Sequence, residues 1–220
     1  MAPTLLPRHE TATWRAQAAA SQRDRLLVAM ADACVDTGYA NTRVADVISR
    51  AGVSRRTFYE FFDNLEDCFL ATYDRGVEAL SEILAAALAE LPSDVGWRET
   101  LRSLVRTYLE VLAAEPAFSQ FALVEVLAAG RAARDRYLAT VDRFHSLVRL
   151  VDDLACREEG RTDPTSDLVL AMFAGGINRF AMTEVLAGRG GELAHHADAI
   201  SDLAMRMLGG AQPASGKYSP

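Results

Sequence analysis

Residues 38–62 read GYANTRVADVISRAGVSRRTFYEFF, and this pattern predicts two short helices joined by a tight turn. Apolar residues recur at helical spacing over residues 43–50, which indicates the first helix. A turn at Gly52 follows, and Ser54 is placed to cap a second helix that runs through Phe61. A helix, a tight turn and another helix form a helix-turn-helix, whose second helix enters the major groove of DNA.

The second helix of this segment carries side chains suited to nucleic acid. Its first turns hold hydrogen-bond donors for phosphates and base edges, namely Ser54, Arg55, Arg56, Thr57 and Tyr59. The N-terminus of a helix also attracts phosphate through its free N–H groups and its dipole. Taken one at a time, Ser54 is an ordinary helix cap, the arginines are ordinary solvated surface and Tyr59 is half-buried core. Their combination favours DNA binding.

Over about residues 23–70 the chain resembles the TetR-type regulators, the tetracycline-repressor-like family. The resemblance rests on Arg23-x-x-Leu26-Leu27, Ala33, Gly38-Tyr39, Thr42-x-Val44-Ala45, Ala51-Gly52-Val53-Ser54, Thr57-Phe58-Tyr59 and Phe62. It implies an all-α homodimer with an N-terminal three-helix helix-turn-helix DNA-binding domain. A larger C-terminal helical domain would bind a ligand and form the dimer.

The resemblance also implies roles for single residues in DNA binding. Thr42, which is expected to cap the first motif helix, and Tyr59 would contact phosphates. The residues facing the major groove would be Ser54, Arg55, Arg56 and Thr57, and Arg43 completes the predicted interface. A bidentate contact from Arg55 or Arg56 to guanine is the expected base-reading interaction.

Two positions depart from the family pattern. Arg56 stands where the family often has glycine, which adds a base or phosphate contact. Leu65 stands where the family usually has lysine, which removes a phosphate contact that Asn64 would partly replace.

The charge of the chain is divided unevenly along its length. The 220 residues have a net charge of -7, with 22 Arg and the single Lys217, an arginine usage suggestive of a bacterial GC-rich genome. Residues 1–62 hold eight basic and six acidic side chains, net +2, so residues 63–220 carry -9. An acidic chain argues against coating nucleic acid by bulk charge. DNA contact is therefore expected from the first segment alone, with Arg8, His9 and Arg15 as further contacts.

Helical periodicity continues almost to the end of the chain. We expect a flexible arm over residues 1–16, the DNA-binding domain over 17–62, the ligand-binding and dimerisation domain over 63–208 and a disordered tail over 209–220. Beyond the motif, helices are expected over about residues 17–37, 64–90, 97–114, 117–129, 131–159, 165–187 and 192–208.

The helix expected over residues 165–187 is apolar nearly all round, so it must be buried on more than one side. Pairing with its symmetry mate and with the last helix, as a four-helix bundle across a two-fold axis, would bury it. Gly175 and Gly176 would permit close approach of the helices. The alternative is a core helix buried within one protomer.

A ligand pocket is expected between the helices of the second domain. Small-molecule sites are mostly apolar with a few polar anchors. The aromatic candidates are Tyr108, Phe118, Phe121, Phe144 and Phe173, and the polar candidates are Gln120, Glu125, His145, Asn178, Arg179, Thr183 and Glu184. Each polar candidate also fits a role as core filler, surface charge or dimer salt bridge. The mixture favours a hydrophobic or aromatic effector.

Nothing in residues 63–220 resembles a catalytic motif, so we expect no enzyme activity, no cofactor and no metal. The three cysteines are far apart, and His195-His196 has no partner at ligand spacing. The longest apolar run, Leu168–Ile177, is too short to span a membrane, and no signal peptide is evident. A cytoplasmic location is expected.

These features predict a ligand-responsive transcriptional regulator, a repressor that binds a palindromic operator as a homodimer and is released by a small effector. Two alternatives stay open at this point. One is a helical enzyme or small-molecule-binding protein with an incidental helix-turn-helix, which predicts no operator affinity. The other is a DNA binder without an effector, which predicts a fully packed second domain.

Overall fold

The structure is a computed structural model that describes residues 21–209, and all regular secondary structure in this range is helical. The predicted all-α fold class is confirmed. The expected arm over residues 1–16, with Arg8, His9 and Arg15, lies outside the described residues. So does the expected tail from residue 210 onward.

From residue 21 onward, the N-terminal part of the described chain contains three helices and the start of a long fourth. Ser21 caps the first through a hydrogen bond from the Asp24 N–H, and Asn64 caps the fourth in the same way from Asp67. A short 3-10 turn, Tyr39–Asn41, follows the first helix. The helices are α1 (Gln22–Thr37), α2 (Val44–Ala51), α3 (Arg55–Phe61) and α4 (Leu65–Ala89).

The remaining helices follow the predicted boundaries within a few residues, with two differences. The sixth helix contains a π-helical segment, Phe121–Glu125. The last predicted helix begins as a 3-10 segment, Gly190–His196, so only its second part is α-helical. The helices are α5 (Trp97–Ala114), α6 (Pro116–Ala128), α7 (Arg131–Glu159), α8 (Asp167–Leu186) and α9 (Ala197–Leu208).

Two apolar clusters form the core, and α4 belongs to both. The first cluster joins α1, α2 and α3 to the first half of α4 and to α6. The second joins the later part of α4, from Leu80, to α5, α7, α8 and α9. Phe69 of α4 and Phe121 of α6 pack in the first cluster with ring centroids 4.4 Å apart. Helices α1, α2 and α3 therefore rest on α4 and α6. The boundary after residue 62 stays a prediction.

A glycine lets α4 approach α6 closely. A Cβ atom at Gly76 would lie 2.0 Å from Cε2 of Phe118, a distance that no side chain tolerates. Because Gly76 has no side chain, the buried Phe118 ring packs directly on the α4 backbone. This contact fixes the long fourth helix against α6.

Helix α8 exposes an apolar face in the protomer. The exposed fractions of Leu168, Met172 and Leu186 are 68%, 65% and 59%. By length and composition alone α8 could cross a membrane, a test that core helices of soluble proteins also pass, and 28% of its most apolar window is buried. Helices α5 and α6 pass that test only when taken together as one span bent by 102°. The apolar helix is thus longer than the ten-residue run seen in the sequence.

Candidate nucleic-acid interface and ligand cavity

The turn between α2 and α3 is set by local hydrogen bonds. Gly52 takes a left-handed conformation with φ 62°, which a glycine adopts without strain, and the chain turns there. Ser54 then caps α3, because its Oγ accepts a hydrogen bond of 3.0 Å from the Thr57 N–H. The predicted cap at Ser54 is confirmed. The helix-turn-helix is therefore held by its own backbone geometry.

The two faces of α3 differ sharply in exposure. Phe58 is fully buried and Phe62 packs beside it, with ring centroids 5.6 Å apart. On the opposite side Arg55, Arg56 and Tyr59 are exposed. The Arg55 guanidinium lies 5.7 Å from the centroid of the Tyr59 ring, and Arg56 Nε lies 3.1 Å from Glu60 Oε1. Four of the side chains predicted to face DNA are exposed, and Thr57 is half-buried. We call this set the recognition face (Ser54, Arg55, Arg56, Thr57 and Tyr59).

Thr42 does not cap α2 as predicted. The helix begins one residue later, with Arg43 at the cap position, and the Arg43 N–H donates to Asp46 Oδ2 at 2.8 Å. Thr42 is buried, and its hydroxyl donates to the Gly38 carbonyl at 2.9 Å. The threonine therefore stabilises the corner between α1 and α2. Arg43 is exposed beside it and remains available to a phosphate.

Leu65 stands where the family usually has lysine, and its packing explains the difference. It is partly buried against the first apolar cluster. Asn64 uses its side chain to cap α4, with its Oδ1 accepting from the Asp67 N–H at 2.9 Å. Capping uses the side-chain oxygen of Asn64. This role does not by itself give Asn64 a phosphate contact.

A small, partly open cavity lies inside the second cluster. Its volume is about 40 Å³, and every atom exposed to it is apolar. Three of the predicted aromatic candidates, Tyr108, Phe144 and Phe173, are among its walls, and the first two meet edge to face at 4.7 Å between centroids. The lining residues are Leu84, Leu101, Leu104, Val105, Tyr108, Phe144, Leu147, Val148, Val151, Phe173, Ala174 and Ile177.

The other two aromatic candidates lie elsewhere. Phe118 and Phe121 are buried in the first cluster, between α6 and the DNA-binding helices, and do not reach this cavity. Both belong to the sixth helix segment, where Phe118 packs against α4 at Gly76 and Phe121 packs on Phe69 of α4. Their aromatic character was a sign of core packing and not of a ligand site.

Glu125, a predicted pocket residue, instead contacts the DNA-binding helices. Its Oε2 accepts a hydrogen bond of 2.8 Å from the backbone N–H of Tyr39, in the corner after α1. The residue lies at the end of the π-helical segment. Because the acceptor is a carboxylate, the bond is of the stronger, charge-assisted kind. Glu125 is thus a polar link from α6 to the DNA-binding helices.

Most of the remaining polar candidates have partners outside the cavity wall. Asn178 accepts a hydrogen bond of 2.6 Å from the Tyr137 hydroxyl. His145 Nε2 lies 2.9 Å from Asp167 Oδ1. Gln120 and Thr183 do not line the cavity, Arg179 donates to the Met182 sulfur, and Glu184 accepts two bonds of 2.7 Å from Arg189. None of the groups of His, Cys, Asp and Glu within residues 21–209 has an arrangement that could hold a metal ion.

Three tyrosines lie close together beside the cavity. Burial raises the pKa of Tyr73 to about 12, and it also raises the pKa of the buried Tyr108. The pKa of Tyr137 is also raised by burial. All three hydroxyl groups are protonated at physiological pH, and those of Tyr73 and Tyr137 already form hydrogen bonds with Thr140 and Asn178.

Replacing Glu125 with alanine is expected to weaken the contact between α6 and the DNA-binding helices. The loss of a hydrogen bond to a charged group costs about 1.5–3 kcal/mol, which corresponds to a fall in melting temperature of roughly 3–12 °C for a chain of this size. Differential scanning calorimetry measures this change. Glu125→Gln, which keeps an acceptor oxygen, should lose less than half as much. Equal losses in the two variants would contradict a role for the Tyr39 hydrogen bond.

Comparison with known proteins agrees with this geometry. Residues 26–72 match the family described as "Bacterial regulatory proteins, tetR family". Over 91 residues the chain is 29% identical to the HTH-type transcriptional activator FasR of Mycolicibacterium smegmatis. That match covers 41% of this chain and spans only 40% of FasR.

Solved structures share the fold over most of the chain. The fatty acid degradation regulator FadR of Bacillus halodurans superposes with a TM-score of 0.74 at 19% identity, covering 87% of this chain and 96% of FadR. The transcriptional regulator FadR of Bacillus subtilis, solved in complex with stearoyl-CoA, gives a TM-score of 0.71 at 14% identity. That alignment covers 85% of this chain and 98% of the Bacillus subtilis protein.

Proposed function

We propose that this chain, which is a TetR-type regulator by its N-terminal domain and fold, represses transcription in the cytoplasm as a homodimer. Each protomer would place α3 in one half-site of a palindromic operator. A small effector with an apolar chain would release the dimer from DNA. The observation that carries the proposal is the position of α4, which begins directly after the recognition helix and ends at the cavity.

The recognition face supports contact with base edges. Arg55 and Arg56 are exposed at the N-terminal end of α3, where a helix in the major groove meets the bases. An arginine fork matches the two acceptors of guanine. Tyr59 and Arg43 flank these arginines and are exposed to phosphates. Thr42 is left out of this proposed surface because its hydroxyl is used inside the protein.

The exposed face of α8 supports the proposed dimer. Leu168, Met172 and Leu186 recur at helical spacing along one side, and Gly176 lies on the same side with nothing within 4 Å of its added Cβ. Leu203 of α9 is also exposed, at 49%. Apolar patches of this kind favour association with another protein surface. A two-fold pairing of α8 and α9 would cover them and would leave both α3 helices free for DNA.

The cavity supports an effector with an apolar chain. Its walls offer no polar group, so a chain of methylene groups gains about 0.8 kcal/mol for each one buried. Ligand sites usually measure several hundred Å³, so this cavity of about 40 Å³ must enlarge before a chain can occupy it. Fatty-acid regulators share the fold, and one of them was solved with stearoyl-CoA. We therefore propose a fatty acyl compound as the effector.

Opening of the cavity would be transmitted through α4. Leu84 forms part of the cavity wall, and Leu65 of the same helix packs on the DNA-binding helices. A shift of α4 would change the separation of the two recognition helices in the dimer. An effector that binds the released conformation about 3 kcal/mol more tightly shifts the equilibrium by roughly 100-fold.

Selection of genomic fragments on the purified full-length chain tests this proposal. We expect enrichment of one palindromic sequence, and release of the labelled fragment when palmitoyl-CoA is added in a fluorescence-anisotropy titration. A transcription assay from the selected promoter then gives the sign of regulation, with repression expected. Activation would overturn the repressor assignment.

The same titration separates the alternatives. Binding of a specific fragment that neither palmitoyl-CoA nor palmitate disturbs would favour a DNA binder without a fatty acyl effector. Because the cavity is small, its volume alone does not distinguish these two proposals. Failure to enrich any fragment, together with binding of acyl compounds, would favour a helical carrier.

A further inference from the structure

A second opening, larger than the cavity, lies along α4 and α7 and also reaches α1. Its volume is about 580 Å³, and we call it the arginine groove. Helix α1 contributes Arg23, helix α4 contributes Asp74, Arg75 and Glu78, and helix α7 contributes Arg136 and Arg143. The groove therefore lies between one helix of the DNA-binding unit and two helices of the larger domain.

The charged side chains of the groove leave an excess of positive charge. Four arginines stand against Asp74 and Glu78, which gives a net charge of +2. Arg136 pairs with Asp74, and the Arg136 Nε lies 3.0 Å from both carboxylate oxygens of Asp74. Arg75 pairs with Glu78, with 3.6 Å between Arg75 Nη1 and Glu78 Oε2.

Two arginines of the groove are not neutralised in this way. Arg23 and Arg143 are exposed, and neither makes an ion pair with any residue between 21 and 209. The Arg23 guanidinium lies over the Phe62 ring, 5.7 Å from its centroid. A guanidinium with no carboxylate partner keeps its donors available for an anion, and its planar fork matches phosphate oxygens.

The arginine groove and the apolar cavity occupy successive segments of the same two helices. On α4 the groove is lined by residues 71–81 and the cavity by Leu84. On α7 the groove is lined by residues 136–143 and the cavity by residues 144–151. A molecule lying along these helices would pass from a charged environment to an apolar one.

Hydroxyl groups lie where the two environments meet. Tyr73 lines the groove and forms a side-chain hydrogen bond with Thr140, while Tyr108 lines the cavity. Tyr137 stands near both tyrosines and donates to Asn178. Neutral hydroxyls suit the polar atoms that link an apolar chain to a charged head group.

We propose that the arginine groove binds the phosphate-bearing head group of an effector whose apolar chain enters the cavity. The proposal rests on the proposed function for the chain, and it adds the head group and the residues that select it, Arg23 and Arg143. A head group that contacts both arginines joins α1 to α7. The DNA-binding unit therefore responds to the head group directly, in addition to its response through α4.

Isothermal titration calorimetry with the full-length protein tests the proposal with four probes below their micellar concentrations. The probes are palmitoyl-CoA, palmitoyl lysophosphatidate, palmitate and CoA without a chain. The variants are Arg23→Gln, Arg143→Gln and the double variant. Arg157→Gln is the matched control, since Arg157 is exposed on the same helix as Arg143 but lies outside the groove.

We expect the double variant to bind palmitoyl-CoA and CoA at least 10-fold more weakly than the wild type, while the affinity for palmitate changes less than 3-fold. The dependence of palmitoyl-CoA binding on salt should fall as well, because two cations no longer neutralise the head group. Arg157→Gln should match the wild type for all probes. Arginine-dependent binding of palmitoyl lysophosphatidate would show that one phosphate group suffices, and binding of the CoA probes alone would show that the larger head group is selected.

The four probes separate this proposal from the proposed function. A wild type that binds palmitate and palmitoyl-CoA equally, or a double variant that keeps the wild-type affinity for CoA compounds, would overturn the head-group site and leave the apolar effector standing. Arginine-dependent binding of CoA with no contribution from the chain would retain the groove and overturn the fatty acyl effector. A wild type that binds none of the probes would overturn both.

Discussion

Replacement of both Arg55 and Arg56 by alanine is expected to lower operator affinity at least 100-fold. The two guanidinium groups are exposed on one side of α3 and are the only arginines on that helix. A bidentate contact to a base contributes about 1–3 kcal/mol, so two contacts in each protomer account for this loss. Fluorescence anisotropy with the selected fragment measures the effect.

The protein should keep its fold and the proposed dimer in this variant. Arg55 stacks on Tyr59 and Arg56 pairs with Glu60, and both contacts lie on the surface, where such interactions contribute little to stability. Alanine is also a good helix former. Arg157→Ala, on the surface of α7, serves as the control with unchanged affinity. Sequence-specific binding by the double variant would contradict the assignment of α3 as the recognition helix.

The second large effect is expected from charges placed on the proposed dimer face. Met172→Glu on α8 combined with Leu203→Glu on α9 changes two side chains that are exposed in the protomer, so folding should be preserved. In a two-fold interface each carboxylate would lose its water, at a cost of several kcal/mol. We expect a monomer at micromolar concentration, measured by size-exclusion chromatography with light scattering.

Operator affinity should fall with the dimer. A dimer holds its second recognition helix at a high effective concentration beside the second half-site, and a monomer loses this advantage of about 100-fold or more. Leu150→Glu is the matched control, because Leu150 is 62% exposed on α7 and lies outside the proposed interface. A double variant that stays dimeric would show that α8 and α9 do not form the interface.

The helix-turn-helix was largely predictable because its determinants are local. A turn glycine at position 52 and a capping serine at position 54 act on their immediate neighbours, and the structure confirms both. Thr42 was misassigned because a threonine before a helix is equally suited to capping and to a buried hydrogen bond. The sequence does not show which of these hydrogen-bond partners is within reach.

The larger domain was predictable in its helices but less so in its contacts. Tyr108, Phe144 and Phe173 were expected in the ligand site and do line the cavity. Phe118 and Phe121 have the same chemistry but point to the other apolar cluster. Helical periodicity gives the buried side of a helix, but a helix between two clusters has two buried sides. The π-helical segment adds a further change of direction within α6.

The arginine groove had no signal in the linear sequence. Arg23, Arg75, Arg136 and Arg143 lie on three helices and are separated by up to 120 positions along the chain. Most arginines of a helical protein face water, and none of these stands in a motif. Only the packing of α1, α4 and α7 in the folded chain brings them to one surface.

The groove and the cavity are lined by separate segments of α4 and α7, which can be changed independently. The lining of the groove ends at Ser81 and Arg143, and the apolar lining of the cavity begins at Leu84 and Phe144. Substitutions in one segment leave the side chains of the other in place. A designer of biosensors could therefore alter chain-length preference and head-group preference separately, by changing different turns of the same two helices.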